Sequence, residues 1–265
     1  LFVGGSAVKL TPGSGGTTSF GVTTLTGGLT TTSVGDISQT GAITTGAASS
    51  ITSSTGDIDL SNSNNSWFGA TTLSGVDVAI AAAGNLNALI AATGNASASA
   101  SGNLMVAGTA NNLATISGGT TTFGATTLTG GLTTTSVGDI TQTGAIITGA
   151  ASSITSSTGD IDLSNAGNSF CGATSVIATI GDLGFGGTVT GNLTTSAGGA
   201  TTFAATTVNG NLDVTSGGDI NQTGPLIVTG TSSLASLTGD VDLTNPANQF
   251  GGQVSLIDQE EELQR

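Results

Sequence analysis

The sequence is dominated by an internal repeat, and this repeat restricts the possible folds more than any other feature. Residues 17–70 recur without a gap at 120–173, with 46 identities in 54 positions and a shift of 103 residues. A third, more diverged copy begins near residue 200, at a shift of 80 from the second. Sequence repeats of this kind are typical of solenoids and propellers, in which each repeat contacts mainly its neighbours.

A shorter period lies inside the long one. The tripeptide Gly-Asp-Ile, or its Val or Leu variant, begins at Gly35, Gly56, Gly138, Gly159, Gly181, Gly218 and Gly239. From Gly35 to Gly239 is 204 residues, and if weaker versions of the motif fill the gaps, ten intervals give a mean of 20.4. On this unit the shift of 103 is five steps and the shift of 80 is four, which predicts a structural coil of about 20 residues.

The residues within one unit favour strands over helices. Residues 120–140 read TTTFGATTLTGGLTTTSVGDI, so short β-prone runs alternate with glycine, and no helical stripe persists. We predict an all-β fold, a right-handed parallel β-helix (β-solenoid) of about 12 coils, each of about 20 residues and about three sides. Propeller blades need about 40 residues or more, which fits the spacing less well.

Equivalent residues of successive coils should form ladders. We expect the residue after each Gly-Asp pair to point inward, in the series Ile37, Ile58, Ile140, Ile161, Leu183, Ile220 and Val241. The aligned aromatic residues are expected to form a second internal column, made of Trp67, Phe170 and Phe250. The single cysteine, Cys171, is interpreted as a small buried apolar residue.

The ends differ from the repeat. Residues 1–16 read as an irregular lead-in segment, 17–257 as a single β-solenoid domain, and 258–265 as a polar tail. Neither end resembles a strong cap, and an uncapped solenoid exposes unpaired strand edges. We therefore expect either a longer parent chain or copies that stack end to end.

Composition narrows the function. Against 16 acidic residues stand two cations, Lys9 and Arg265, which gives a net charge of -14 and argues against nucleic acid and anionic membranes as partners. Histidine is absent, so the usual proton shuttle and His-dependent nucleophiles are missing. No apolar stretch approaches the roughly 18 residues of a spanning helix, so we expect no membrane insertion.

The aspartates of the Gly-Asp turns are the clearest chemical candidates. They are Asp36, Asp57, Asp139, Asp160, Asp182, Asp219 and Asp240, followed in three copies by Asp59, Asp162 and Asp242. Stacked carboxylates can bind calcium, but each Asp can equally bond the backbone of its own turn and face water. Paired carboxylates can also hydrolyse glycosides, yet no Asp cluster stands out from its neighbours. We predict a structural role, with no enzyme activity and no catalytic, cofactor-binding or metal residues, and keep calcium as the alternative.

Threonine rows suggest a second kind of surface. Thr30–Thr31–Thr32, Thr133–Thr134–Thr135 and Thr194–Thr195 could present a flat hydroxyl array, although threonine also suits any exposed strand. A Thr/Asn-rich flat face of this kind would fit a carbohydrate-binding or surface-binding module, including an ice-binding one.

The phrase GDIDLSNAGNSFCGATSV at 159–176, with its variant GDVDLTNPANQFGGQVSL at 239–256, resembles the repeats of filamentous-haemagglutinin-type bacterial adhesins and related large exoproteins. The resemblance covers most of residues 17–256. It implies a β-helix shaft, export across the outer membrane and a role in attachment or a surface fibre. The chain lacks the NPNG motif of the secretion domain and an RGD motif, so it corresponds at most to shaft.

These observations together predict a structural or adhesive segment of a bacterial cell-surface or secreted fibre, located outside the cell. Two cations leave almost no trypsin sites, and the negative charge keeps an exposed rod soluble. The expected partners are further copies or neighbouring parts of a longer fibre, and a host or surface glycan.

Overall fold

The structure, a computed structural model, describes residues 1–258, and all regular elements in this range are β-strands. The chain is a parallel β-solenoid of about 13 turns with about 19 residues each, which confirms the predicted fold class. Its right-handed sense stays a prediction. Of the predicted tail 258–265, only Asp258 belongs to the described residues, as the last residue of a strand, and 259–265 lie outside them.

Two compact units divide the chain, Leu1–Thr129 and Gly130–Arg265. The strands of unit 1 are β1 (Phe2–Ala7), β2 (Gly13–Ser14), β3 (Thr18–Leu25), β4 (Thr30–Ser33), β5 (Ile37–Gln39), β6 (Ile43–Thr44), β7 (Ser49–Ser53), β8 (Ile58–Leu60), β9 (Ala70–Gly75), β10 (Val78–Ala82), β11 (Leu86–Ala92), β12 (Ala96–Ala100), β13 (Leu104–Ala110), β14 (Leu113–Ser117) and β15 (Thr121–Leu128). Row A stacks β1, β3, β5, β6, β8, β10, β12 and β14; row B stacks β2, β4, β7, β9, β11, β13 and β15.

Unit 2 is built in the same way. Its strands are β16 (Leu132–Ser136), β17 (Ile140–Gln142), β18 (Ile146–Thr148), β19 (Ser152–Ser156), β20 (Ile161–Leu163), β21 (Ser169–Phe170), β22 (Thr174–Ala178), β23 (Leu183–Val189), β24 (Leu193–Ala197), β25 (Thr201–Val208), β26 (Leu212–Ser216), β27 (Ile220–Gln222), β28 (Leu226–Val228), β29 (Ser232–Ser236), β30 (Gln249–Phe250) and β31 (Val254–Asp258). Row C stacks β16, β19, β22, β24, β26, β29 and β31; row D stacks β17, β18, β20, β21, β23, β25, β27, β28 and β30.

The predicted inward ladder is present in both units. In unit 1 the paired residues are Thr18, Ile37, Ile58, Val78, Ala96 and Leu113. In unit 2 they are Ile140, Ile161, Leu183, Thr201, Ile220 and Val241. All are buried except Val241, which is half-buried. Inward residues on alternating positions fill a narrow core that each turn shares with the next.

The three aromatic residues predicted to form an internal column also point inward. Phe170 and Phe250 lie in one column of unit 2, separated by Val189, Val208 and Val228. Phe170 is fully buried, with its ring centroid 5.7 Å from that of Phe185, whereas Phe250 is half-buried. In unit 1 Trp67 is 5% exposed, and its indole nitrogen donates to the carbonyl of Ala81 at 2.9 Å.

The long repeat does not span a whole number of turns, which corrects the interpretation of its shift as five steps. Five turns of row A lead from Thr18 to Leu113, at about 19 residues per turn. Thr121, the repeat equivalent of Thr18, begins the next strand of row B. The long shift is therefore five and a half turns, and the first and second copies begin on opposite rows.

Most turns have two rows of strands, and a bend in one row replaces the third predicted side. The longer strands shift register near their middle, as β13 does between Val106 and Gly108. Gly108 has a φ of 123°, and a Cβ there would lie 1.8 Å from the carbonyl oxygen of Ile90. Only glycine fits this combination of conformation and close approach.

Turn length changes within unit 1. The hydrogen bonds that join one corner to the next have a sequence separation of 21 at Asp36 and 20 at Asp57, but 18 at Asn85 and 17 at Asn103. The short turns have alanine at many inward positions, including Ala82, Ala88, Ala92, Ala96, Ala98 and Ala100. Smaller inward side chains allow a thinner coil, because the two rows can approach each other more closely.

Residues 1–16 have more regular structure than predicted. Strand β1 pairs in parallel with β3, with a break in register between Val3 and Gly5, and β2 pairs with β4. The lead-in segment is thus an irregular turn of the solenoid. Across residues 1–258 there is no helix with the length and apolar character to cross a membrane.

Candidate functional site

The aspartates after the corner glycines form a hydrogen-bonded ladder between turns. Oδ1 of Asp36 accepts the backbone N–H of Asp57 at 3.0 Å, and Oδ1 of Asp57 accepts that of Asp77 at 3.0 Å. In unit 2 the acceptors are Asp139 for Asp160, Asp160 for Asp182, Asp182 for Ala200, and Asp219 for Asp240. The expected bond to the backbone of the residue's own turn is thus wrong for this series, because the partner lies one turn further along.

At four corners the glycine before the donor aspartate makes this contact possible, namely Gly56, Gly159, Gly181 and Gly239. A Cβ on Gly56 would lie 2.4 Å from the backbone nitrogen of Asp36 in the preceding turn. A Cβ on Gly159 would lie 2.3 Å from the nitrogen of Asp139. Gly-Asp therefore acts as one unit, in which glycine allows two corners to touch and aspartate bonds the next corner.

The second aspartates of the GDIDL motif behave as predicted. Asp59 accepts the backbone N–H of Ser61, and Asp162 accepts that of Ser164, both within one turn. Asp242 is exposed on the surface of unit 2. These local bonds are Asx turns, which require no ligand.

The corner position does not need a charge. Asn85 and Asn103 accept the next turn's backbone N–H at the row B corner of unit 1, at 2.9 and 3.0 Å. Asn192 and Asn211 do the same in unit 2. In the described part of the chain no group of three or more acidic or cysteine side chains is placed to hold a metal ion. A side-chain oxygen acceptor, rather than a carboxylate pair, is what the corners share.

A buried amide pair is the feature that sequence reasoning missed. Asn168 is 2% exposed and exchanges two hydrogen bonds of 2.8 Å with Gln142. Its Oδ1 also accepts the N–H of Ile146 at 3.0 Å, and its Nδ2 donates to the carbonyl of Leu163 at 2.9 Å. The side chain thereby joins three segments of neighbouring turns.

The same pair recurs in each large repeat, with a constant sequence separation of 26 between glutamine and asparagine. The pairs are Gln39–Asn65, Gln142–Asn168 and Gln222–Asn248. The asparagine closes the Asn-x-x-Asn turn of the GDIDLSN phrase, whose first asparagine accepts the N–H two residues later. The constant spacing is the signal that could have identified the pair in the sequence.

With the repeat geometry established, the comparison with known families identifies these turns. A family model described as repeats of unknown function, DUF5649, matches residues 5–74, 110–177 and 178–257. The chain belongs to the DUF5649 family. No curated protein and no solved structure was found to match it.

The three DUF5649 matches contain the three repeat copies predicted to start near residues 17, 120 and 200. Residues 75–109 lie between the first two matches and form most of the thin, alanine-rich turns of unit 1. These turns are therefore outside the part of the chain that the DUF5649 repeat describes.

A groove of about 520 Å³ opens where the thin turns follow the first DUF5649 match. Asn87, Met105 and Thr122 occupy paired outward positions on β11, β13 and β15 and form its floor. Other residues that line it are Trp67, Phe68, Gly69, Asn85, Leu86, Asn103, Leu104 and Thr120. The lining contains no ionisable side chain, although the chain carries a net charge of -14.

A second groove, in unit 2, has the opposite character. It measures about 380 Å³ and is lined by Asp160, Asp162 and Asp182 together with small polar and apolar residues. Each of these carboxylates already accepts a backbone N–H. The acidic lining follows from the corner ladder and requires no separate explanation.

The threonine rows alternate between the two faces of their strands. Thr31, Thr134 and Thr195 are buried, whereas their neighbours in the rows are exposed. On row C of unit 2 the outward positions Thr133, Ser153, Ser175 and Thr194 pair in one column, which Asp213 interrupts before it continues with Ser233 and Ser255. The next column contains Ile177, so the hydroxyl array is interrupted.

Cys171 is half-exposed, which corrects its interpretation as a buried residue. It occupies the position of Phe68 in the first repeat copy, which lies outside the core at 71% exposed. The outward direction is thus a property of this position in the turn.

Proposed function

We propose that the protein is a structural and adhesive segment of a bacterial cell-surface or secreted fibre, without catalytic activity. The observation that carries the proposal is the use of the chain's carboxylates. Most corner aspartates bond the backbone of the next turn, so the residues best suited to chemistry serve to join turns. The resemblance to filamentous-haemagglutinin-type shafts supports the same function.

Extracellular location fits the surface chemistry of the chain. Only Lys9 and Arg265 provide trypsin-type cleavage sites, and parallel pairing with backbone bonds at each corner protects the rest of the backbone. A chain with one cysteine does not depend on the redox state of its surroundings. We expect the partners to be neighbouring parts of a longer fibre, or copies that stack end to end through unpaired strand edges.

The proposal is tested by asking whether the protein is a component of filaments outside the cell. Antibodies against the purified chain should label intact source cells or their secreted material, and negative-stain microscopy should show thin filaments that carry the label. Labelling confined to the cytoplasm of permeabilised cells would contradict the proposal. A non-specific protease should leave the purified chain largely intact under conditions that degrade an unrelated protein of equal size.

A surface-binding module is the second candidate, and the hydroxyl column on row C is the observation that favours it. Four consecutive turns present Thr133, Ser153, Ser175 and Thr194 outward at the strand spacing. An ordered surface such as ice would match a regular array of this kind. Thermal hysteresis in dilute solution, lost on replacing Thr133 and Thr194 by lysine, would favour this function, and its absence would remove it.

A further inference from the structure

We propose that the neutral groove of unit 1 binds an uncharged oligosaccharide. The inference deepens the adhesive part of the proposed function and rests on it, since it names the class of ligand and the residues that would hold it. Four residues carry the argument: Phe68 at the rim, Met105 on the floor, and the corner amides of Asn85 and Asn103.

The turn directs residue 68 outward, but it does not require an aromatic side chain at that position. Its side chain is 71% exposed, while its backbone N–H is held by the hydroxyl of Thr45 at 3.2 Å. The equivalent residues are Cys171 in the second copy and Gly251 in the third, so the fold does not require an aromatic ring there. A large exposed aromatic side chain beside a groove is typical of a binding surface.

The corner amides supply unused donors. Oδ1 of Asn85 and Oδ1 of Asn103 each accept a backbone N–H of the next turn. Their NH₂ groups have no hydrogen-bond partner within residues 1–258. Because the two residues belong to adjacent turns, the donors repeat at about 4.8 Å along the groove. Such spacing suits the closely set hydroxyl oxygens of one or two sugar rings.

The charge of the protein surface and of the groove lining indicates which class of ligand the groove binds. A net charge of -14 disfavours anionic ligands throughout the surface. A cationic ligand would prefer the corner aspartates, because the groove lining has no carboxylate to pair with it. An uncharged sugar has hydroxyl groups for the amides and apolar C–H faces for Phe68 and Met105, so it fits the lining best.

The size and position of the groove agree with this ligand. Its volume of about 520 Å³ lies within the range of small-molecule sites. Its lining combines the loop that carries Phe68 with Asn85, Asn87, Asn103 and Met105 of the thin turns. Paired strands form its floor, so little ordering of the backbone is needed when a ligand binds.

The test uses the full chain and a panel of neutral tetrasaccharides made of glucose, mannose or N-acetylglucosamine, with binding followed by calorimetry and ligand-observed NMR. At least one should bind saturably. Phe68→Ala should weaken binding about tenfold or more, because it removes the stacking face. Asn103→Asp should do the same, because it keeps the corner acceptor but loses the free donor and adds a charge.

Asn211→Asp is the matched control. It makes the same change at an equivalent corner of unit 2, where Asn211 accepts the N–H of Thr231, and it should leave binding unchanged. Unchanged melting temperatures show that all three variants fold. The inference is overturned if no neutral tetrasaccharide binds, if both Phe68→Ala and Asn103→Asp retain full affinity, or if only acidic sugars bind.

The two proposals fail separately. Labelled surface filaments without oligosaccharide binding would refute the groove and leave the shaft. Binding by a protein that is found only in the cytoplasm would support the groove and refute the fibre.

Discussion

Replacing Asn168 by alanine should destabilise the protein more than almost any other single polar substitution. Asn168 makes two 2.8 Å hydrogen bonds with Gln142, accepts the N–H of Ile146 at 3.0 Å and donates to the carbonyl of Leu163 at 2.9 Å, with a longer contact of 3.3 Å to the carbonyl of Gly186. The four shorter bonds, at about 0.5–1.5 kcal/mol each, give about 2–6 kcal/mol. Because alanine leaves a buried N–H and a buried carbonyl unpaired, we expect about 3–5 kcal/mol.

Two measurements check this expectation. Chemical denaturation followed by circular dichroism gives the change in overall stability, but a long repeat array can unfold in parts. Hydrogen exchange of the Ile146 amide gives the local change, since that N–H loses its acceptor in the variant. Each loss of about 1.4 kcal/mol in local stability speeds its exchange about tenfold.

Asn165→Ala is the control, because Asn165 lies in the same turn but is exposed and accepts a single N–H, that of Gly167. It should cost about 0.5–1.5 kcal/mol. A double-mutant cycle between Asn168→Ala and Gln142→Ala should show a coupling of about 1–3 kcal/mol. The reasoning is refuted if Asn168→Ala costs no more than the control, or if the two substitutions are additive.

Three further predictions follow from buried or crowded positions. Thr195→Val should raise stability by about 1 kcal/mol in denaturant titrations, because the buried Thr195 hydroxyl has no hydrogen-bond partner. Thr206→Val should give no gain, since that hydroxyl has carbonyl acceptors at 2.9 and 3.3 Å. Gly159→Ala should cost about 2–3 kcal/mol or more through a clash with the preceding turn, whereas Gly84→Ala, which faces open space, should be neutral or slightly stabilising. Asp160→Asn should keep the corner hydrogen bond and change the free energy of unfolding by less than about 0.5 kcal/mol, whereas Asp160→Ala should cost about 1 kcal/mol. A chelator should leave the melting midpoint of the protein unchanged, and a shift would favour calcium at the corners.

Much of the core could be predicted because the fold repeats one local rule. An apolar residue after each Gly-Asp pair identified Ile37, Ile58 and Ile161 as inward, since a fixed step after a corner gives a fixed side of the strand. It could not be predicted which backbone N–H each aspartate carboxylate accepts. Asp36 and Asp59 are the same residue type in similar polar surroundings, yet one bonds the next turn and the other its own.

The candidate site was harder to predict, for two physical reasons. Asn168 is a buried amide in a segment that reads as an exposed turn, and only its distant partner Gln142 explains its burial. The groove has no motif of its own. Its lining comes from the loop that carries Phe68 and from the thin turns, where the sequence separation between hydrogen-bonded corner residues falls from 20 or 21 to 17 or 18. Asn85 and Asn103 line it from adjacent thin turns.

The half-turn shift between the first two copies shows what the repeating unit is. Thr18 begins a strand of row A and its equivalent Thr121 begins a strand of row B, although the sequences that follow are nearly identical. Within unit 2, by contrast, Ile140 and its equivalent Ile220 lie in the same row, four turns apart. Corners on both rows of unit 1 use the same device, a side-chain oxygen that accepts the next turn's N–H. A segment can therefore occupy either row without changing its bonds. The smallest unit that this chain can gain or lose is one strand with its corner. A shift of five and a half turns and a shift of four turns follow the same rule, because each is a whole number of such units.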